Sequence, residues 1–205
     1  MHPHLIIISS PSGAGKSTIC QMLITNNPEI KLSISATTRI PRKAEIDGEH
    51  YFFITHDKFK EMLRNGEFLE YATVFDNYYG TPRDAVENEL KNNNSVLFDI
   101  DWQGARQIAE KFPKEKVISF FILPPSLEEL HKRLQNRAQD SEEVVLKRML
   151  KAKDEMSHFD EYDYVLINDN LEKTYQTIVS IIKSGKRQTQ ENKEQIANFV
   201  HQLIK

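Results

Sequence analysis

Hydrophobic residues in this chain gather into short uninterrupted runs, separated by longer stretches with helical spacing. The runs are "LIIIS" (Leu5 to Ser9), "SVLFDI" (Ser95 to Ile100), "VISFFIL" (Val117 to Leu123) and "DYVLI" (Asp163 to Ile167). A strand covered on both faces carries apolar side chains on both, so such runs read as buried β-strands. Between them apolar positions recur every three or four residues. Ile19, Met22 and Leu23 follow the first run, and helical patterns begin near Trp102, Ser126, Ser141 and Leu171. Strands alternating with helices predict an α/β fold: a parallel sheet covered by helices.

The stretch 35–90 breaks this rhythm. "HYFFI" and "EFLEYATVFDNYYGT" read as short β segments flanking an amphipathic helix, "HDKFKEMLRNG". The pattern predicts a small mixed α/β lobe, residues 35–90, inserted into a core made of 1–34 and 91–205. After Lys183 the chain is rich in Lys, Gln and Glu, but Ile196, Phe199, Val200 and Leu203 form one apolar stripe. That stripe predicts a surface helix packed on the core. No internal repeat, low-complexity tract or long linker divides the 205 residues, which read as a single domain.

Composition excludes more than it assigns. Hydrophobic content is 39% and charged content 28%, and no apolar run reaches the ~20 residues of a membrane helix. The opening "MHPH" lacks the basic segment of a secretory signal. A cytoplasmic protein without membrane partners is expected. The single Cys20 cannot form an internal disulfide, which suits a reducing compartment, and its place in a helical pattern suits a small packed residue. The net charge of −3 offers no overall basic surface for nucleic acid. Anion binding must therefore come from local clusters, at Arg39/Arg42/Lys43 and Arg133/Arg137/Arg148.

The first run leads into "SPSGAGKST", close to the phosphate-loop pattern G-x-x-x-x-G-K-[ST]. Ser12, Gly13, Ala14, Gly15, Lys16, Ser17 and Thr18 form the expected ATP-phosphate cradle. Glycines let backbone N–H groups turn inward, and the following helix adds its positive end. Lys16 would hold the β- and γ-phosphates, and Ser17 would offer a hydroxyl to Mg2+. A small-residue turn that merely caps a helix is the plainer reading, but the buried strand before and helix after favour the motif and a P-loop NTPase-type sheet. Ser10 departs from the pattern, standing where the first glycine belongs. If that position needs a left-handed backbone, serine costs about 1 kcal/mol or more; if it is extended, serine costs almost nothing.

Next comes "SISATTRIPRKAEIDGEHYFF". Two arginines three residues apart can clamp one phosphate, and a tyrosine hydroxyl can add a neutral donor. An isolated R-x-x-R is more often a solvated loop. Here the segment resembles guanylate kinase, whose pattern S-x-x-x-R-x-P-R-x-x-E…G-x-x-Y is matched by Ser35, Arg39, Pro41, Arg42, Glu45, Gly48 and Tyr51. The likeness continues through "GEFLEYATVFDNYYGTP", "LFDIDWQGA", "PPSLEELHKRLQNRAQDSEEVVLKR" and "YVLIND", in order and with matching spacing.

The resemblance implies phosphoryl transfer from ATP to GMP, and to dGMP, with Mg2+, in purine metabolism and GMP recycling. By position, Arg39, Arg42, Tyr51 and Tyr79 correspond to residues holding the GMP phosphate, with Glu45 in the same motif. Ser35, Glu70, Thr81 and Asp101 correspond to those around guanine. Asp99 corresponds to an acidic residue acting on Mg2+ through water, although an aspartate at a strand end is often just a helix cap. Arg133 and Arg137 correspond to lid arginines, in a lid spanning 133–148, and Arg148 to a further phosphate contact. Asn168 corresponds to a residue at adenine. The implied catalytic group is then Lys16, Arg39, Asp99, Arg133, Arg137 and Arg148.

The chemistry of guanine agrees. A carboxylate such as Glu70 accepts from N1–H and the 2-amino group, while a hydroxyl such as Ser35 donates to O6. Adenine reverses both polarities. Water must be kept from ATP, so the lobe and the segment around Arg137 to Glu142 are expected to close over the substrates. Two other readings are a non-catalytic guanylate-kinase-like module that binds proteins, and a kinase for another small phosphate ester. The first would be expected to lose Lys16 or the lid arginines, and the second has no reason to keep Ser35, Glu70 and Asp101 together. Ala138 is a second departure, replacing a glycine that often follows the second lid arginine. Family members occur as monomers and as larger assemblies, so a homo-oligomer stays open.

Overall fold

A computed structural model describes residues 3–74, 76–138, 142–184 and 190–204, without the side chains of 136–138, 144, 190 and 191. In chain order the elements are β1 (Leu5–Ser9), α1 (Lys16–Asn26), β2 (Ile30–Leu32), β3 (Ala36–Thr37), β4 (Phe52–Phe53), α2 (His56–Arg64), β5 (Phe68–Val74), β6 (Asn77–Pro82) and α3 (Arg83–Lys91). There follow β7 (Ser95–Asp99), α4 (Trp102–Lys111), β8 (Val117–Leu123), α5 (Leu127–Ala138), α6 (Glu142–Met156), β9 (Tyr164–Ile167), α7 (Leu171–Ser184) and α8 (Gln190–Ile204).

Five strands form one sheet in the order β2-β7-β1-β8-β9, every pairing parallel. All five residues of β1 are buried, as a central strand requires. Its side chains alternate between two cores. Leu5 and Ile7 pack with residues of α4, α5, α6 and α8, whereas Ile6 and Ile8 pack with Ile19 and Leu23 of α1 and Ile178 of α7. Cys20 lies in that second core, where burial pushes its thiol up to about 11, so it behaves as a packed residue rather than a nucleophile. The stripe of the tail is realised by α8, with Val200 and Leu203 buried against the first core.

The segment between the first helix and β7 carries a second, four-stranded sheet, β4-β3-β6-β5. Its small core is Ala36, Phe59 and Phe68, with Phe59 stacked between Phe68 (4.5 Å) and Tyr78 (5.2 Å). Thr55 caps α2 by accepting from the Lys58 N–H. Helix α3 belongs elsewhere, since its Val86 and Leu90 pack into the larger core. Two strands go beyond the sequence reading: β2 is the three-residue "IKL" and β3 the two-residue "AT", both too short to stand out as apolar runs, and among the described residues β2 pairs with β7. Helices begin at Trp102, Leu127 and Leu171, and α6 begins at Glu142, Ser141 lying outside the described residues. Among the described residues no helix is long and apolar enough to cross a membrane.

Candidate active site

The loop from Ser10 to Gly15 joins the end of β1 to the start of α1, at the sheet edge where parallel α/β folds collect ligands. Gly13 (φ 93°) and Gly15 (φ 102°) are left-handed, conformations that strain other residues. Ser10 has no positive φ. The departure from the motif therefore falls where glycine's freedom is not used, and the Ser10 hydroxyl donates to the Pro11 carbonyl at 3.0 Å. Ser10→Gly should leave KM for ATP within about twofold, read from initial rates with ATP varied. A tenfold gain in affinity would mean that serine does perturb the loop.

Two elements brace this loop from outside. A side chain at Gly13 would press on Leu130 and Leu134 of α5, and one at Gly15 would run into the amide of Asn168. Asn168 follows β9, is 3% exposed, and donates through Nδ2 to the Ala14 carbonyl at 2.8 Å. Its Oδ1 is buried with no hydrogen-bond partner among the described residues, an acceptor left over beside the loop.

Lys16, Ser17 and Thr18 make the first turn of α1, with both hydroxyl residues exposed. Lys16 forms an ion pair with Asp99, the last residue of β7, which lies opposite Ile8 of β1. Asp99 is thus engaged by a cation. The helix cap of this region is Asp101, whose Oδ1 accepts from the N–H groups of Gln103 and Gly104 (3.0 and 3.1 Å) and whose Oδ2 accepts from the Gln103 side chain (3.1 Å). Capping fixes the direction of the Asp101 carboxylate.

A second cluster holds the arginines of the smaller sheet. Glu45 accepts from Arg39 Nη2 at 2.8 Å and from the Arg42 N–H at 2.7 Å. The hydrogen bond to Arg39 holds the Glu45 carboxyl below the usual carboxylate range and pushes the Arg39 guanidinium up. Arg39 also lies over the ring of Tyr51 (5.4 Å), which meets Tyr79 edge-on (6.0 Å). Arg42 is exposed beside them. One fixed cation, a second exposed beside it and two phenols suit a dianionic phosphate.

Ser35, Thr81 and Glu70 form a buried polar chain. Thr81 donates to Glu70 Oε1 at 2.6 Å, and Ser35 and Thr81 oxygens stand 3.5 Å apart. Glu70 is 3% exposed. Burial pushes its carboxyl up to about 7 against the Thr81 hydrogen bond, with the Asp101 charge adding to the rise. Its other oxygen packs on α4, where only a glycine fits: a side chain on Gly104 would collide with Glu70 Oε2. Gly104→Ala should therefore displace the carboxylate, raising KM for the acceptor nucleotide about tenfold and leaving KM for ATP unchanged. Equal rises in both constants would show a general disturbance instead.

Of the residues expected to form a lid, only some side chains lie among the described residues. Arg133 sits on α5 with its Nε bonded to Glu129 at 2.8 Å, and Arg148 is half-buried on α6. Arg137 lies in α5, its side chain outside the described residues, as is that of Ala138.

A model of the guanylate kinase family matches residues 2–185 of this chain. The chain belongs to the guanylate kinase family. It is 51% identical over 199 residues to a guanylate kinase of Paramagnetospirillum magneticum, covering 97% of this chain and 92% of that one. To a guanylate kinase of Escherichia coli K12 it is 48% identical over 202 residues, covering 98% and 97%. The crystal structure of guanylate kinase from Anaplasma phagocytophilum superposes with a TM-score of 0.73 at 35% identity, over 92% of this chain and 88% of that one.

Two residues beside this guanylate kinase site escape a reading of the sequence. Gly104 sits in the family stretch "DWQGA", but nothing in its spacing points to Glu70. Glu155, on α6, accepts from the Ser12 N–H of the phosphate loop at 3.3 Å. It lies among Lys151, Lys153 and Asp154 in a charged helix and carries no local signal.

Proposed function

We propose that this chain transfers the γ-phosphoryl group of ATP to GMP, giving ADP and GDP, with Lys16, Arg39, Asp99, Arg133, Arg137 and Arg148 as the charged group around the reaction. The observation that carries this reading is the buried Glu70–Thr81–Ser35 chain of the smaller sheet, packed against Gly104 of α4, the helix that follows the phosphate loop's neighbouring strand β7. Glu70, when ionised, offers two acceptors to guanine's N1–H and 2-amino donors, and Ser35 can donate to O6. Adenine would set its N1 acceptor against the Glu70 carboxylate and lacks the 2-amino donor, leaving a buried acceptor unpaired, and such mismatches reject an analogue by about 10⁴-fold.

The transfer brings two polyanions together, so cancelling charge is the main task. Lys16 neutralises the donor phosphates, while Arg39, Arg42, Tyr51 and Tyr79 hold the acceptor phosphate. An acceptor phosphate oxygen forms the new bond to phosphorus, and the β–γ bridging oxygen leaves with its electron pair on ADP. That acceptor is already ionised at neutral pH, so no side chain need take a proton. The leftover acceptor on Asn168 suits an exocyclic amine such as that of adenine.

Mg2+ fits the donor set. Ser17 contributes a hydroxyl and Asp99 a carboxylate, and the described residues hold no cluster of three or more metal-ligating side chains. A site of few protein oxygens, completed by phosphates and water, is typical of this ion, which when bound would neutralise phosphate charge. The smaller sheet with α2, residues 35–82, and the lid 133–148 would close over both nucleotides, α3 staying with the larger core. The retention of Lys16, Ser17 and Arg133 weighs against a module that only binds proteins.

The test is direct. The purified chain, given ATP, Mg2+ and GMP, should release ADP and GDP in equal amounts, resolved by chromatography. ADP without GDP would reduce the reading to an ATPase, and neither product to a binding protein.

A further inference from the structure

Helix α6 packs against α5 and α8 and carries Arg148, Lys151 and Glu155 at spacings of three and four residues. Positions seven apart on an α-helix differ by nearly two full turns, so Arg148 and Glu155 share one face. Beside it runs the buried face of Val145, Ala152 and Met156. Glu155 is not a surface residue, since its side chain is 13% exposed. The ordinary role for such a residue is an ion pair along the helix, and Lys151 does approach it at 3.7 Å. Its closer contact is different: Oε2 accepts the N–H of Ser12, in the middle of the phosphate loop. Burial pushes its carboxyl up, against the opposing charge of Lys151 and the Ser12 N–H.

We infer, resting on the kinase reading above, that Glu155 is a positioning residue: by holding the Ser12 N–H it seats α6 on the phosphate loop and thereby fixes where Arg148 stands relative to the donor phosphates. This hydrogen bond bridges 143 residues of sequence and acts beside the packing of Leu130 and Leu134 of α5 at Gly13. A catalytic cation carried on a helix is only as well placed as that helix, and small misplacements cost large factors in rate. The part of Glu155 that matters is an oxygen acceptor at full side-chain reach, not its charge.

Three variants of the full-length chain separate these properties. E155Q keeps the acceptor and its reach without the charge, E155D keeps the charge but is one methylene shorter, and E155A removes both. Initial rates are measured with ATP varied at saturating GMP and with GMP varied at saturating ATP, beside the thermal midpoint. E155Q should stay within about threefold of wild type, while E155D and E155A lose roughly ten- to a hundredfold in kcat/KM for ATP, with KM for GMP little changed. Hydrogen exchange at the Ser12 amide should be slow in wild type and E155Q and faster in E155D, a readout that needs no turnover. Should E155A fail to fold, the contrast of E155Q with E155D still decides. The inference is overturned if E155D matches wild type while E155Q falls, if none of the variants differs from wild type, or if all three lose rate and stability together. Absence of GDP from the wild-type chain would instead remove the kinase reading, leaving Ser12 exchange to judge the contact.

Discussion

Replacing Lys16 with methionine is expected to lower kcat by about 10³-fold, with a folded protein and a KM for GMP changed far less. The argument starts from the backbone. The left-handed Gly13 and Gly15 turn the loop so that α1 begins at Lys16, which delivers the amine to the rim of the phosphate cradle. There it pairs with Asp99 across the β1–β7 edge. Methionine preserves the unbranched stem and so most of the packing, but removes the cation that, on the proposed reading, the loop brings to the β- and γ-phosphates. It also removes the cation paired with Asp99 in the free protein. Steady-state rates on a sample whose thermal midpoint matches wild type measure it. A loss below about tenfold would mean that Lys16 is not the cation of the transfer.

The second large effect is at Glu70, and its signature is that activity and stability move in opposite directions. Glu70→Gln should reduce kcat/KM for GMP by about 10²-fold, because one end of the amide would present N–H groups to guanine's own donors. Burial raises the folded-state pKa of Glu70 from the ordinary 4.5 to about 7. A raised folded value means that the native state holds the proton more tightly than the unfolded chain. The associated stability is fully present below pH 4.5 and is lost as pH rises through 7. Glutamine has no charge to bury, so above pH 7 the variant should be the more stable protein while binding GMP worse. The wild-type kcat/KM for GMP should climb with pH up to about 7 and then level, since the ionised carboxylate is the form with two acceptors. That limb should vanish in the variant. A variant less stable than wild type at pH 8, with the limb intact, would remove Glu70 from the guanine site.

Much of the frame is legible along the chain because its signals are local. "LIIIS" and "VISFFIL" need no partner to be recognised as buried strands, and both match the observed bounds of β1 and β8. The phosphate loop is legible for the same reason, being contiguous, and the question of Ser10 needed only its backbone angle. What stays hidden depends on contacts made at a distance. The strand β2 is a strand because β7 lies beside it, not because "IKL" prefers extension. The cap at the end of β7 is Asp101 rather than Asp99, a choice made by which residue precedes the first free N–H groups of α4. The proton affinity of Glu70 arises from burial that no neighbouring residue announces. Gly104 and Glu155 matter only because the fold brings them against Glu70 and Ser12.

The central claim is that an ATP phosphate loop on the larger sheet works with a polar chain on the smaller sheet that selects guanine. The measurement that meets it most directly is the acceptor preference: kcat/KM for GMP and for AMP, CMP and UMP, each at saturating ATP and Mg2+. The account predicts turnover with GMP at least about 10³-fold more efficient than with AMP. Rates within tenfold of each other would contradict it, because the Glu70–Thr81–Ser35 chain would then not be reading the base.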